Sequence, residues 1–345
     1  MNQSGQSVLN TLWQQGRCFL GTEVALLGGA MTWVSNRNLV AAISNAGGFG
    51  VIACGSMTPE LLKTEIVATK SLTSKPFGVN LITMHPDLEK LIEVCAEQKI
   101  SHVVLAGGLP QASSIKSLKD FGAKVIGFAP ALIIARKLQK MGVDALIIEG
   151  SEAGGHVGPV STGVLAQEIL PIVKEIPIFV AGGIGRGEAI VTYLRMGAAG
   201  CQLGTRFVCA SESPAHSNFK QSFIRAQARD AVASVQLDSR FPVIPVRALS
   251  NAATERFMNV QAEMIARYES GELPLKEAQL MIEHFWAGAL RKAVIDGDVE
   301  NGSLMAGQSV GMVTSEQTTS EIIQELVQQA SDFIENGLKE QRYSA

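Results

Sequence analysis

An α/β fold, a (β/α)8 barrel with an inserted, mainly α-helical second domain after strand eight, is predicted by three features of the sequence. Eight short, nearly continuous apolar runs recur between residues 23 and 207, as in parallel strands buried on both faces. Helical stretches separate successive runs, and glycine follows several of them. Beyond residue 211 the alternation stops and helical stretches take over.

The runs are EVALLG (23–28), FGVIAC (49–54), FGVNLI (77–82), HVVLAG (102–107), KVIGFA (124–129), DALIIEG (144–150), IFVAGG (178–183) and CQLGTRF (201–207). Helices are predicted between them over 36–46, 59–69, 87–98, 112–121, 131–141, 163–174 and 187–196. Ser35 or Asn36 supplies the first with a capping oxygen. Thr58 caps the second, and Pro59 takes the first helical position, where no N–H is needed. Gly122, Gly142 and Gly197 follow helices and suit the left-handed residue that ends them. Eight consecutive units favour a closed TIM barrel over a doubly wound open sheet. The barrel is expected over 1–211, closed by a C-terminal helix within 312–345. There Ile322, Ile323, Leu326, Val327, Ala330, Phe333 and Ile334 recur at helical spacing. Residues 212–311 are expected to form an α-rich lid or substrate domain, with helices in 252–270 and 275–295 and a break at PVIPVR (242–247).

Composition narrows the partners. The chain has 345 residues, 46% hydrophobic and 18% charged, which excludes disorder as the dominant state. Net charge is −3 and no basic block is present, so neither nucleic acid nor an anionic membrane surface is expected. The N-terminus shows no signal-peptide pattern and no apolar run is long enough to span a bilayer, so a cytoplasmic location is expected. The five widely spaced cysteines, with no CxxC pair, read as reduced thiols. No metal-ligand constellation appears. The apolar fraction is read as pointing to a homodimer.

In such a barrel the chemistry belongs at the C-terminal ends of the strands. Strands seven and eight end in AGGIGRG (181–187) and LGTRF (203–207). Glycines such as Gly182, Gly183 and Gly204 let backbone N–H groups approach a phosphate, and Thr205 adds a hydroxyl. Strand one ends in GGAMTWVS (28–35), where Ala30 and Met31 offer a flat ring a small surface and a polarisable sulfur. Asn80 brings an amide to the mouth that needs partners. Strand six runs into EGSEAGGHVG (149–158). It carries Glu149, Gly155 and His156, an imidazole suited to proton transfer in a loop with little to pack it. His85, and His284 beside Phe285 and Trp286, are weaker candidates. His102 falls at the opposite end and reads as structural. A phosphate cradle, a bed for a flat ring and one loop histidine describe a phosphorylated aromatic cofactor. FMN fits better than pyridoxal phosphate, because no lysine stands at a strand end.

The segments GGAMTWVS, AISNAGGFGVI, KPFGVNL, EGSEAGGHVG, VAGGIGRG and QLGTRFVCASES, spread over most of residues 20–215, resemble the nitronate monooxygenase (2-nitropropane dioxygenase) superfamily of FMN barrels. That superfamily also contains the flavin-type enoyl-[acyl-carrier-protein] reductases. The resemblance implies FMN contacts at Ala30, Met31, Asn80, Gly182, Gly183, Gly204 and Thr205, and an active-site histidine at His156. The short step from Asn80 to His102, and AGALRKAVIDGDVENGSLMAGQSVGMV near the C-terminus, are similar to the reductase branch. The first reading is therefore an NAD(P)H-dependent enoyl-acyl-carrier-protein reductase acting on an enoyl thioester. The alternatives are a nitronate monooxygenase, an NAD(P)H:quinone reductase, or a flavin-binding protein without turnover. On the reductase reading an acyl carrier protein is a further partner, with Arg206, Arg225 or Arg229 in a basic patch.

Overall fold

Eight parallel strands form the barrel of this computed structural model, which describes residues 4–343 except 242, 244, 286 and 287, with backbone alone at 283, 284 and 340–343. They are β1 (Leu26–Gly28), β2 (Gly50–Ala53), β3 (Phe77–Ile82), β4 (His102–Ala106), β5 (Lys124–Phe128), β6 (Ala145–Glu149), β7 (Ile178–Ala181) and β8 (Gly200–Leu203). Their order is β1-β8-β7-β6-β5-β4-β3-β2. A parallel bridge between Leu27 and Phe49 joins the two ends. There the Gly28 N–H donates to the Phe49 carbonyl and the Phe49 N–H to the Leu26 carbonyl, both at 2.9 Å. The eighth run was expected to stay extended through Phe207. Instead Thr205–Val208 is a helical turn. The last pairing with β1 is Gly28 with Leu203, so beyond it no neighbour holds the chain extended.

The barrel interior is filled by Leu27, Phe49, Val51, Val104, Ile126, Ala145, Ile147, Phe179 and Ala181. Helix Gln14–Leu20 plugs the N-terminal end with Phe19 and Leu20. The Phe19 carbonyl accepts from Lys124 Nζ at 2.6 Å and from His102 Nε2 at 2.9 Å. Burial pushes the His102 imidazole down to about 4, so it is neutral and structural. The other end is left open.

The outer helices follow their local signals. Asn36 Oδ1 accepts from the N–H groups of Asn38 and Leu39, and Thr58 Oγ1 from that of Leu61. Gly122, Gly142 and Gly197 all have positive φ. Helix Thr162–Ile169 is shorter than predicted: Leu170 keeps helical backbone, but Pro171 has no N–H to continue the hydrogen-bond ladder. The C-terminal helix Thr319–Tyr343 packs on helices Gly187–Arg195 and Gly5–Leu12. A Cβ on Gly187 would stand 2.3 Å from the Leu326 carbonyl oxygen, so the two backbones touch.

The inserted region is of two kinds. Phe219 and Phe223 of helix Ser217–Arg225, with Leu304, Ala306, Val310 and Val313, join the core around the barrel. Phe241, Phe257, Met264, Ala278 and Ile282 make a separate small core, carried largely by helices Ala252–Glu269 and Leu275–His284. One feature is unexpected. Ala231–Ala233 pairs with Val246–Leu249, which pairs in turn with Gly155–His156 in an antiparallel sheet. Strands this short leave no readable alternation. The His284 side chain and Trp286, expected along the lid, lie outside the described residues, as do 344–345.

Cys54, Cys95, Cys201 and Cys209 are buried free thiols, and Cys18 is exposed. Burial pushes Cys54, Cys95 and Cys209 up to about 12, which keeps them unreactive. Among the described residues no His/Cys/Asp/Glu group could hold a metal ion. No described helix is long and apolar enough to cross a membrane.

Candidate active site

Strand order places four predicted segments side by side on the open rim. The ends of β6, β7, β8 and β1 are consecutive neighbours, so Glu149, Gly182–Gly183, Gly204–Thr205 and Ala30–Met31 lie along one arc. Asn80 stands on the other side, on β3 between β2 and β4. Gly182 and Gly183 have φ of 97° and 70°, a backbone that favours glycine. Among the described residues no acceptor takes the backbone N–H of Gly183, Gly204 or Thr205. Orphan donors gathered at the ends of β7 and β8 are what an anion needs, so these residues fit a bound phosphate. The Thr205 hydroxyl oxygen already accepts from the Gly307 N–H at 3.0 Å. It ties the rim to residues 305–312. Met31 Sδ lies 3.5 Å from where a Cβ on Gly204 would stand. Ala30 packs on the barrel interior.

Below the rim the inward layer turns polar. Glu149, Ala181 and Gln202 are in register across β6, β7 and β8. Asn80 is buried and donates its amide to the Val104 carbonyl at 3.2 Å. That bond fixes the carboxamide and leaves its oxygen without a donor. Gln202 is buried too, and the side chains of Gln202 and Glu149 make no hydrogen bond among the described residues. Gln202 was missed in the sequence. Its signal was available, because the period of two along CQLG puts it on the face of Leu27, its register partner.

Glu149 is half-buried, and the protein around it pushes its carboxyl up to about 7 from an ordinary 4.5. The folded protein therefore holds a proton that the unfolded chain has released. Stability contributed by this group is present below the ordinary value and is lost as pH rises from 4.5 to about 7. Glu149→Gln should remove that decline. Thermal melting of the flavin-free variant at about pH 5 and about pH 8 checks it; an undiminished difference would place the titration elsewhere.

His156 is carried by the glycine loop after β6 and held by the inserted region. It pairs with Val246, and the Val157 N–H donates to the Pro245 carbonyl at 3.0 Å. The Arg247 guanidinium Nε reaches back to the Ser151 carbonyl at 2.8 Å. Glu152 Oε2 accepts from Thr162 N–H and Oγ1 at 2.8 and 2.9 Å, which anchors the loop at its start. At Gly154 a Cβ would stand 2.6 Å from the Gly307 nitrogen. At Gly155, φ is 81° and Met305 Sδ is the nearest atom such a Cβ would meet. Met305 and the 305–312 segment are thus a wall of the site that the motif reading did not assign. His156 is exposed overall, yet protein around the imidazole lowers its pKa from 6.5 by desolvation. It is neutral at pH 7 and can donate from one nitrogen and accept at the other.

Two further histidines accept hydrogen bonds from nearby backbone. His85 Nδ1 accepts from the Asp87 N–H, and His216 Nδ1 from that of Asn218, where it caps helix Ser217–Arg225. Arg206, expected in a surface patch, is buried. It donates to the Met312 carbonyl at 2.9 Å and to Glu325 Oε2 at 2.9 Å. The position after Thr205 points the side chain inward, under the rim, because the chain has turned helical there. Arg225 and Arg229 are exposed.

The chain matches the family model described as nitronate monooxygenase over residues 17–98 and 85–329. A relative from Mycobacterium tuberculosis, named (3aS,4S,5R,7aS)-5-hydroxy-7a-methyl-1-oxo-octahydro-1H-indene-4-carboxyl-CoA dehydrogenase, is 30% identical, with 89% of this chain and 93% of the relative covered. A probable nitronate monooxygenase from Staphylococcus aureus is 26% identical, with 94% and 99% covered. The solved structure of FabK from Thermotoga maritima superposes with a TM-score of 0.83 at 35% identity, covering 93% of this chain and 96% of that one. A nitroalkane oxidase from Streptomyces ansochromogenes superposes with 0.74 at 25% identity, covering 92% and 98%. The barrel, its rim and these matches agree: the chain is a flavin-type oxidoreductase belonging to the nitronate monooxygenase family.

Proposed function

We propose that this enzyme is an FMN- and NAD(P)H-dependent reductase of enoyl thioesters, of the enoyl-acyl-carrier-protein reductase kind. The observation that carries the reading is the wall beside His156. The segment SLMAGQSVGMV, whose sequence resembles the reductase branch, touches the histidine loop at Gly154 and holds Thr205. Two similarities support it: the 35% identity with FabK, and the 30% identity with a dehydrogenase named for a carboxyl-CoA compound. Bound FMN would supply the hydride-transfer chemistry between the nicotinamide and the β-carbon of the enoyl thioester.

The chain's own residues supply the rest. The N–H groups of Gly182, Gly183, Gly204 and Thr205 would hold the phosphate. Ala30, Met31 and Gly155 would lie against the ring system, and Asn80, Glu149 and Gln202 would meet its polar atoms. His156, neutral, would donate a hydrogen bond to the thioester carbonyl as negative charge develops there. The α-carbon receives its proton from solvent or from this imidazole. An acyl carrier protein would meet exposed Arg225 and Arg229. The proposal includes a cytoplasmic homodimer, with residues 212–311 as the substrate-covering domain.

A second reading has its own support in the family model and the Staphylococcus relatives. As a nitronate monooxygenase, the enzyme would use neutral His156 to bind the nitronate or to accept the α-proton of a nitroalkane. Anaerobic titration with NADH and NADPH, followed at about 450 nm, separates the two. Rapid bleaching, with reoxidation by a crotonyl-type thioester, is the expected result. A flavin that resists both nucleotides and bleaches with a nitronate would overturn the first reading.

A further inference from the structure

The turn after β1 holds an indole in a backbone conformation that favours glycine. Met31, Thr32, Trp33 and Val34 form a tight turn closed by the Val34 N–H on the Met31 carbonyl at 3.0 Å. Trp33, its third residue, has a φ of 68°. That position of such a turn belongs to glycine or asparagine, and a bulky residue there is strained. Among the described residues Lys99 is the other non-glycine with positive φ, just after a helix end. The turn is locked from within. The Met31 N–H donates to Ser35 Oγ at 3.0 Å, and Ser35 Oγ donates to the Gly29 carbonyl at 2.9 Å.

Burial of the ring does not explain the strain. Trp33 is 36% exposed, whereas Trp13 in the core is 1% exposed. Its recorded ring partner is Arg291 of helix Ala289–Val294, whose guanidinium carbon lies 5.9 Å from the ring centroid. The Arg291 ion pair with Asp296 spans 3.1 Å between half-exposed side chains. Lys292, next along, is 3.6 Å from Asp298. Exposed pairs like these are weak and exchange readily for a better anion. The ring stands beside the mouth. Two residues before it, Met31 lies against Gly204, and Thr32 Oγ1 would be 3.1 Å from a Cβ on Gly55, past the end of β2. A strained, exposed aromatic on an active-site rim, with an arginine over it, has the makings of a ligand clamp.

We propose that Trp33 and Arg291 form a subsite for the adenosine diphosphate portion of a ligand entering the mouth. The adenine stacks on the indole and the diphosphate takes the guanidinium from Asp296. Both NAD(P)H and an acyl-CoA carry that portion. The proposal rests on the reductase reading for the identity of these ligands, and on the rim geometry for the site.

Calorimetric titration of the holoenzyme with ADP, CoA and NADH tests it. Trp33→Ala and Arg291→Gln should each weaken ADP at least about tenfold, as loss of one stacked or charge-assisted contact does. Trp33→Phe should keep most of the affinity. Trp33→Gly relieves the strain, so its melting temperature should rise while ADP binding falls. The ligand that weakens alongside ADP, CoA or NADH, identifies the source. If ADP does not bind the wild type at millimolar concentration, or binds both variants as well as the wild type, the proposal is overturned. A lower melting temperature in Trp33→Gly with ADP binding unchanged would make the pair a strut, and would overturn it too. Should neither NADH nor CoA thioesters react while ADP still depends on Trp33, the reductase reading falls and the subsite stands.

Discussion

His156→Ala should lose about a hundredfold to ten-thousandfold in kcat/KM while keeping its flavin, the range expected when a positioned acid–base group is removed. The two effects separate because the residues proposed to hold flavin come from β1, β3, β6, β7 and β8, apart from Gly155, whose backbone the substitution leaves in place. His156 comes from the loop pinned by Val246 and Pro245. His156→Gln, which keeps a hydrogen-bond donor, should recover part of the loss. The pH profile gives a second readout. Desolvation lowers the imidazole pKa below 6.5, so the neutral form prevails at pH 7. If that form is the active one, kcat/KM falls on the acid side as the ring gains a proton, and the limb disappears in His156→Gln. Rates within threefold of wild type, by steady-state assay with the donor identified anaerobically, would remove His156 from the mechanism.

Arg206→Ala should cost roughly 2–4 kcal/mol of stability and weaken flavin binding together. Removing one partner of a buried pair is expensive because it strands the other; the exposure of Glu325 moderates that cost. The arginine side chain is 2% exposed and that of Glu325 39%. Loss of the guanidinium also takes the donor from the Met312 carbonyl and Gln317 Oε1. The link to the cofactor site runs through one relay. Gln329 donates to Glu325 Oε1 at 2.9 Å and accepts the Gly187 N–H at 2.9 Å, at the start of the helix after β7. The C-terminal helix therefore braces both rim loops, at Arg206 after β8 and at Gly187 after β7. Arg206→Lys should recover part of the stability, since a single ammonium cannot reproduce the guanidinium fork. Differential scanning calorimetry and flavin titration of the flavin-free protein measure both effects. Unchanged melting and flavin affinity would show that the brace is idle.

The candidate site was legible where a residue's position follows from its place on a strand. Ala30, Met31, Asn80, Glu149 and the glycines after β7 and β8 could be put at the mouth because strands end where apolar runs end. Gln202 is easily passed over, since one polar residue in an apolar run reads as tolerance, although the period of two along CQLG turns it inward. Arg206 was misassigned for a related reason. A surface position was inferred from charge, whereas the helical turn at Thr205–Val208 carries the side chain beneath the rim. The small sheet that clamps His156 had no signal in the sequence. Its strands are two to four residues long and pair across nearly a hundred positions.

The sequence by itself determined the barrel, because eight apolar runs separated by capped, glycine-terminated helices have few other ways to bury both faces of every strand. It also placed the candidate site residues at the C-terminal ends of the strands. Only the tertiary structure decided which distant segments complete the site. The 305–312 wall against Gly154, the C-terminal helix under both rim loops and the guanidinium over Trp33 are contacts between residues far apart in the chain. Their existence depends on shape and close approach after folding, and no local propensity or period encodes a partner hundreds of residues away.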